Sequence, residues 1–102
     1  MYRFDELKLA YINKYIQEVG ADHIVFVVSP SWYGMDSLQF APVEDICKKK
    51  HIAFYNFSNS TKYVHHDEYF KDGNHMNADG ADEFTKDLVK VLRKDSLLIE
   101  LK

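Results

Sequence analysis

A chain of 102 residues with 46% hydrophobic and 28% charged side chains suits one globular domain or part of one, and its composition argues against disorder. Its formal charge of −3 gives no reason to expect a nucleic-acid partner, and no apolar stretch approaches the roughly 18 residues of a membrane span. The single cysteine, Cys47, excludes an internal disulfide and a multi-cysteine zinc site.

The polar N-terminus reads as running straight into a helix, with no signal peptide. From Asp5 to Val19 apolar residues fall at Leu9, Ile12, Ile16 and Val19, and a flanking row of Leu7, Tyr11 and Tyr15 predicts a broad buried face. Gly20 supplies a left-handed stop. Ile24 to Val28 is unbroken and β-branched, as in a strand covered on both faces, and Ser29-Pro30 ends it. His23 and His51 each precede a strand and read as polar edge residues. Ser31 to Gly34 is an aromatic loop. A second helix is expected from Ala41 to Lys50, with Pro42 in its first turn and Lys48-Lys49-Lys50 at its negative pole. Ile52 to Phe57 reads as the second strand. Ser58 to Asn77 is a long polar connection, of a length usually reserved for function or disorder. The last helix is expected near Asp79 or Gly80, with Ala81, Phe84, Leu88 and Val91 or Leu92 on its apolar face. Leu97 to Leu101 suits a short terminal strand.

Helices alternating with strands imply an α/β fold, a parallel sheet joined by right-handed crossovers. In such sheets chemistry gathers beyond the carboxyl ends of the strands. The run Phe70-Lys71-Asp72-Gly73-Asn74-His75-Met76-Asn77 follows the second strand and precedes the last helix. Within it Asp72 and His75 stand three residues apart. A carboxylate at that distance can hold an imidazole in one tautomer and leave its other nitrogen free to act as a base. An isolated Asp-x-x-His is more often only a polar turn, so the surrounding block matters.

That block resembles the last conserved block of the SGNH (GDSL-type) hydrolases, bacterial envelope-associated members in particular. Phe70, Asp72, His75, Met76, Asn77, Gly80 and Ala81 fit its longer pattern, and Phe84-Thr85 continue it. The strand ending in Ser29-Pro30, its aromatic loop, and Tyr55-Asn56-Phe57-Ser58 resemble the strand ends nearby in the family. The likeness runs from the first helix to about Arg93. It implies a flavodoxin-like three-layer fold, here its C-terminal portion, so that residues 1–102 form a single partial domain. It also implies that Asp72 and His75 are the acid and base of a serine triad. Trp32 and Tyr33, after a strand's carboxyl end, are candidates to line the substrate pocket.

The chain departs from the family in lacking the Gly-Asp-Ser block that carries the nucleophile and the blocks that complete the oxyanion hole. Gly34-Met35-Asp36-Ser37 is not such a block, and Ser29, Ser31, Ser58 and Ser60 suit turns or caps better. The expectation is therefore the acid–base half of a serine ester hydrolase, inactive alone, whose partners are the missing N-terminal half and a small ester or acylated carbohydrate. A non-catalytic accessory or carbohydrate-binding relative is the alternative. No cofactor is expected. His65 and His66 with Asp67, Asp72 and His75 make a cluster able to bind zinc, but the spacing matches no metal motif, so solvated loop histidines are the simpler reading. A half-domain with an open sheet edge is expected to dimerise through that edge or the first helix. A periplasmic or secreted location follows if the parent carries an N-terminal signal, as family members often do.

Overall fold

The structure, a computed structural model, describes residues 6–35 and 37–95, and the side chains of all of these except 6, 7 and 37. The fold is mixed α/β. In chain order come α1 (Glu6–Val19), β1 (Val25–Val28), α2 (Ala41–Lys50), β2 (Ala53–Asn56) and α3 (Ala78–Lys94), with 3-10 turns at Ala21–His23, Ser37–Phe40 and Asp67–Tyr69. β1 and β2 pair in parallel, from Val25 opposite Ala53 to Val28 opposite Asn56. Among the described residues the sheet has these two strands. The chain gathers into two compact units, one formed by the chain up to Val28 with Met35–Phe57, the other by Ser29–Gly34 with the chain from Ser58 onward.

The first unit holds the sheet, α1 and α2. Its buried core is Ile16, Val43, Cys47 and Ile52, against which Leu9, Ile12, Phe26 and Phe54 pack. Burial pushes the Cys47 thiol up, with Glu44 adding to the effect, so this cysteine acts as a small apolar side chain. The turn after α2 explains how Ile52 reaches the core. His51 is left-handed (φ 58°, ψ 41°), its N–H donates to the Lys48 carbonyl at 3.4 Å, and the Ile52 N–H donates to Cys47 at 2.8 Å. This is a Schellman closure, which brings the residue after the turn back onto the last helical turn. His51, exposed and just ahead of β2 as expected, thus also terminates α2.

Three expectations for this unit are corrected. In the flanking row of α1 the two tyrosines are not buried: Tyr11 is 66% and Tyr15 56% exposed, and Val19 at the end of the stripe is exposed as well, while the Leu7 side chain lies outside those described. The strands are not covered on both faces, since none of their residues is fully buried and Val25 is exposed. Two four-residue strands and α2 offer too little surface to bury so wide a helical stripe. Gly20 ends α1 with φ 93° but ψ 134°, a positive φ outside the left-handed helical well.

The second unit is built on α3. Its N-cap is Asn77, whose Oδ1 accepts from the Gly80 N–H at 2.7 Å, so the helix begins at Ala78, ahead of Asp79. Gly80 is buried and Ala81 exposed, the reverse of the expected face. The reason is close approach: a Cβ on Gly80 would strike the Tyr69 carbonyl. Further along, Phe84, Leu88, Val91 and Leu92 are half-buried as their spacing predicts. The long connection is not open loop. Its anchor is buried Tyr63, whose hydroxyl donates to Asp87 of α3 at 2.5 Å, while Lys62 pairs with Glu83 and Asp87, each at 2.9 Å. Burial would raise the Asp87 carboxyl, but the bonds from Tyr63 and Lys62 outweigh it and hold the group below the ordinary range. The strand expected at Leu97 to Leu101 lies outside the described residues.

Candidate active site

Asp72 and His75 stand in a small self-bonded loop between the 3-10 turn and α3. Phe70 and Met76 form an antiparallel bridge at its base. The N–H groups of Lys71 and Asp72 donate to the His75 carbonyl at 2.9 and 3.3 Å. In return Asp72 Oδ1 accepts from the main-chain N–H of Asn74 at 2.9 Å and of His75 at 3.0 Å. An Asp side chain folded onto the backbone two and three residues ahead is the Asx arrangement that this residue type favours. It leaves the side chains of Asp72 and His75 on the same side.

The imidazole closes the loop. Nδ1 of His75 lies 2.9 Å from Oδ1 and 3.1 Å from Oδ2 of Asp72. An ionised carboxylate can only accept, so Nδ1 carries the proton and Nε2 is the nitrogen left for outside chemistry. The side chains are 74% (His75) and 55% (Asp72) exposed, so a reactant can reach the pair. The Asn74 N–H, with the His75 ring second, holds the Asp72 carboxyl below its usual range and keeps it ionised. The arrangement can orient a histidine and accept a proton at Nε2.

Trp32 and Tyr33 come to the same place. With Asp67, Phe70, Lys71, Asp72 and Gly73 they line an open cleft of about 320 Å³. The Trp32 N–H donates to the Gly73 carbonyl at 3.3 Å, its indole Nε1–H donates to Asp67 at 2.7 Å, and its carbonyl accepts the His65 N–H at 2.9 Å. Tyr33 meets Trp32 edge-on at 5.1 Å and lies so close over Gly73 that a Cβ there would enter its ring. The sequence by itself assigns Gly73 no role and places Asp67 in a candidate metal cluster, where the structure has it accepting from the Trp32 indole. The signal for Gly73 was present only as a glycine directly after the acid; what crowds it is the Tyr33 side chain.

The other histidine-loop residues serve nearby partners. The His65 ring packs edge-on against Trp32 at 4.7 Å, and His66 Nδ1 lies 3.2 Å from Glu68. Asp67 is taken by the Trp32 indole and Asp72 by His75. Among the described residues no three His, Cys, Asp or Glu side chains converge as a metal would need, so the five-residue cluster does not assemble. Of the serines weighed as nucleophiles, Ser31 and Ser58 are buried, and the Ser31 hydroxyl points to the Gly73 carbonyl at 3.5 Å. No helix among the described residues is long and apolar enough to cross a membrane. No protein family, curated protein or solved structure matches the chain.

Proposed function

We propose that Asp72 and His75 are the acid and base of a serine ester hydrolase of the SGNH type, with the nucleophile and oxyanion donors supplied by a segment that this sequence does not contain. The observation that carries the reading is the bond from His75 Nδ1 to Asp72 at 2.9 Å in an exposed loop bordering an aromatic-lined cleft. His75 Nε2 would take the hydroxyl proton of the serine as its oxygen attacks the ester carbonyl, then return it to the departing alcohol. Asp72 would steady the imidazolium in between. Trp32 and Tyr33 would border the acyl or alcohol group of a small ester or an acylated carbohydrate. Under this reading the elements described belong to the C-terminal portion of a flavodoxin-like three-layer domain, and a second copy of the chain is the protein partner expected when that portion stands alone.

Alone, a dyad has only water to activate, and loss of triad members costs several orders of magnitude in rate. The 102-residue chain should therefore hydrolyse p-nitrophenyl acetate no faster than free imidazole does. Joined to the upstream segment of its parent gene it should gain activity, and His75→Ala should abolish the gain. No gain on joining would favour the non-catalytic accessory reading. Turnover by the isolated chain that one Ser→Ala variant removes would relocate the nucleophile.

A further inference from the structure

The bonds inside the Asp72 loop fix His75 relative to Asp72 but do not tie the loop to anything outside it. One peptide does that. The carbonyl of Gly73 and the N–H of Asn74 are the two ends of a single rigid, trans plane. Its oxygen accepts the Trp32 N–H at 3.3 Å, with the Ser31 hydroxyl at 3.5 Å, while its N–H donates to Asp72 Oδ1 at 2.9 Å. Planarity couples the two ends, so a rotation that releases the oxygen also takes the N–H off the carboxylate. A glycine flanks this plane, and glycine is the residue least able to resist such a rotation by itself.

We propose that Trp32 is a positioning residue for Asp72, holding the Gly73–Asn74 peptide by its oxygen so that the N–H at the other end stays on the carboxylate that orients His75. What holds Trp32 in turn is its side chain. The indole N–H donates to Asp67 at 2.7 Å, and the His65 ring packs against the indole at 4.7 Å. Asp67 opens the 3-10 turn that leads into the loop, so Trp32 grips the segment both ahead of the dyad and at its tip. The exposed Tyr33 ring lies over Gly73 where any other residue would place a Cβ, so a side chain at 73 would have to push that ring aside. The bond from Asn74 is also the foremost cause of the lowered Asp72 carboxyl, so the state of the peptide can be read at that group.

This rests on the acid–base role proposed above, but its test does not read turnover and so fails separately from the esterase assay. The Asp72 carboxyl is titrated by carbon-detected NMR in the full chain, with amide spectra recorded to show that each variant is folded. Trp32→Ala and Asp67→Ala should raise the Asp72 midpoint toward the ordinary carboxylate range and move the Asn74 amide signal. Asp67→Asn, which keeps an oxygen for the indole, should not raise it. Loss of the Asp67 charge by itself pulls Asp72 downward, so a rise marks loss of the grip and not a charge effect. If Trp32→Ala does not fold, exposed Asp67 carries the test. Folded Ala variants that titrate Asp72 as the parent chain does, or a rise of equal size in Asp67→Asn, would overturn the proposal.

Discussion

Asp72 holds two roles at once, since it closes its own loop through backbone N–H groups and bonds an imidazole. Both depend on its charge, which fixes a pH window. Its carboxyl is depressed in the folded chain, first by the Asn74 N–H and then by His75. The stabilisation it brings is therefore present above the unfolded value, about 4, and is lost as pH falls through the lower folded value. Urea unfolding of the parent chain and of Asp72→Asn between pH 2 and 7 checks this. The stability gap between them should be widest near neutrality and close in acid, and a gap independent of pH would show that the charge is idle. In the same variant the nitrogen shifts of His75 should move from a Nδ1–H form toward a mixture of tautomers.

The element that positions the site is α3, through its first turn. Asn77 caps the helix at Gly80 and ties it to the preceding 3-10 turn, its Nδ2 donating to the Glu68 carbonyl at 2.9 Å and its N–H to Tyr69 at 3.0 Å. Asn77→Ala should cost about 1–2 kcal/mol, a lost cap plus a lost tether. Gly80→Ala sets two effects against each other. Alanine in a helix is worth about 1 kcal/mol over glycine. The added Cβ, however, meets the Tyr69 main chain, which cannot swing aside as a side chain would. Overpacking against fixed backbone costs about 1–3 kcal/mol, so the clash should win and the variant should be less stable. Denaturant titration decides the sign. A more stable Gly80→Ala chain would mean that the helix can draw back from Tyr69.

At the scale of the whole molecule, the exposed face of α1 stands out. Tyr11, Tyr15 and Val19 recur every fourth residue, and open clefts beside them continue onto Ile24, Val25 and Phe26 next to the outer edge of β1. Large apolar side chains beside a strand whose outer edge is unpaired among the described residues favour association. Beside the tyrosines Lys14 and Glu18 pair with each other at 4.0 Å, an exposed pair that a second copy arranged about a two-fold axis can exchange for crosswise ones. Light scattering should show a mass that rises with concentration, and Tyr15→Glu should return the chain to monomer at the same concentration. A monomer at every concentration would remove this expectation.

What the sequence determined by itself was local. Apolar spacing set the existence of α1 and α3, and unbroken apolar runs that of β1 and β2, because each signal needs only the element's own residues. Pro42 and the closing lysines placed α2 at Ala41–Lys50 as observed. The Asp-x-x-His spacing likewise brought an acid and an imidazole within bonding reach, since an Asx loop closes over three residues. The tertiary structure decided what depends on other segments. Which face of α1 is covered, why Gly80 and not Ala81 is buried, and that Tyr63 reaches Asp87 follow from neighbours distant in the chain. So does the role of Gly73. Its glycine was visible, but what lies over it, the ring of Tyr33 some 40 residues earlier, is in place only once the two loops have met.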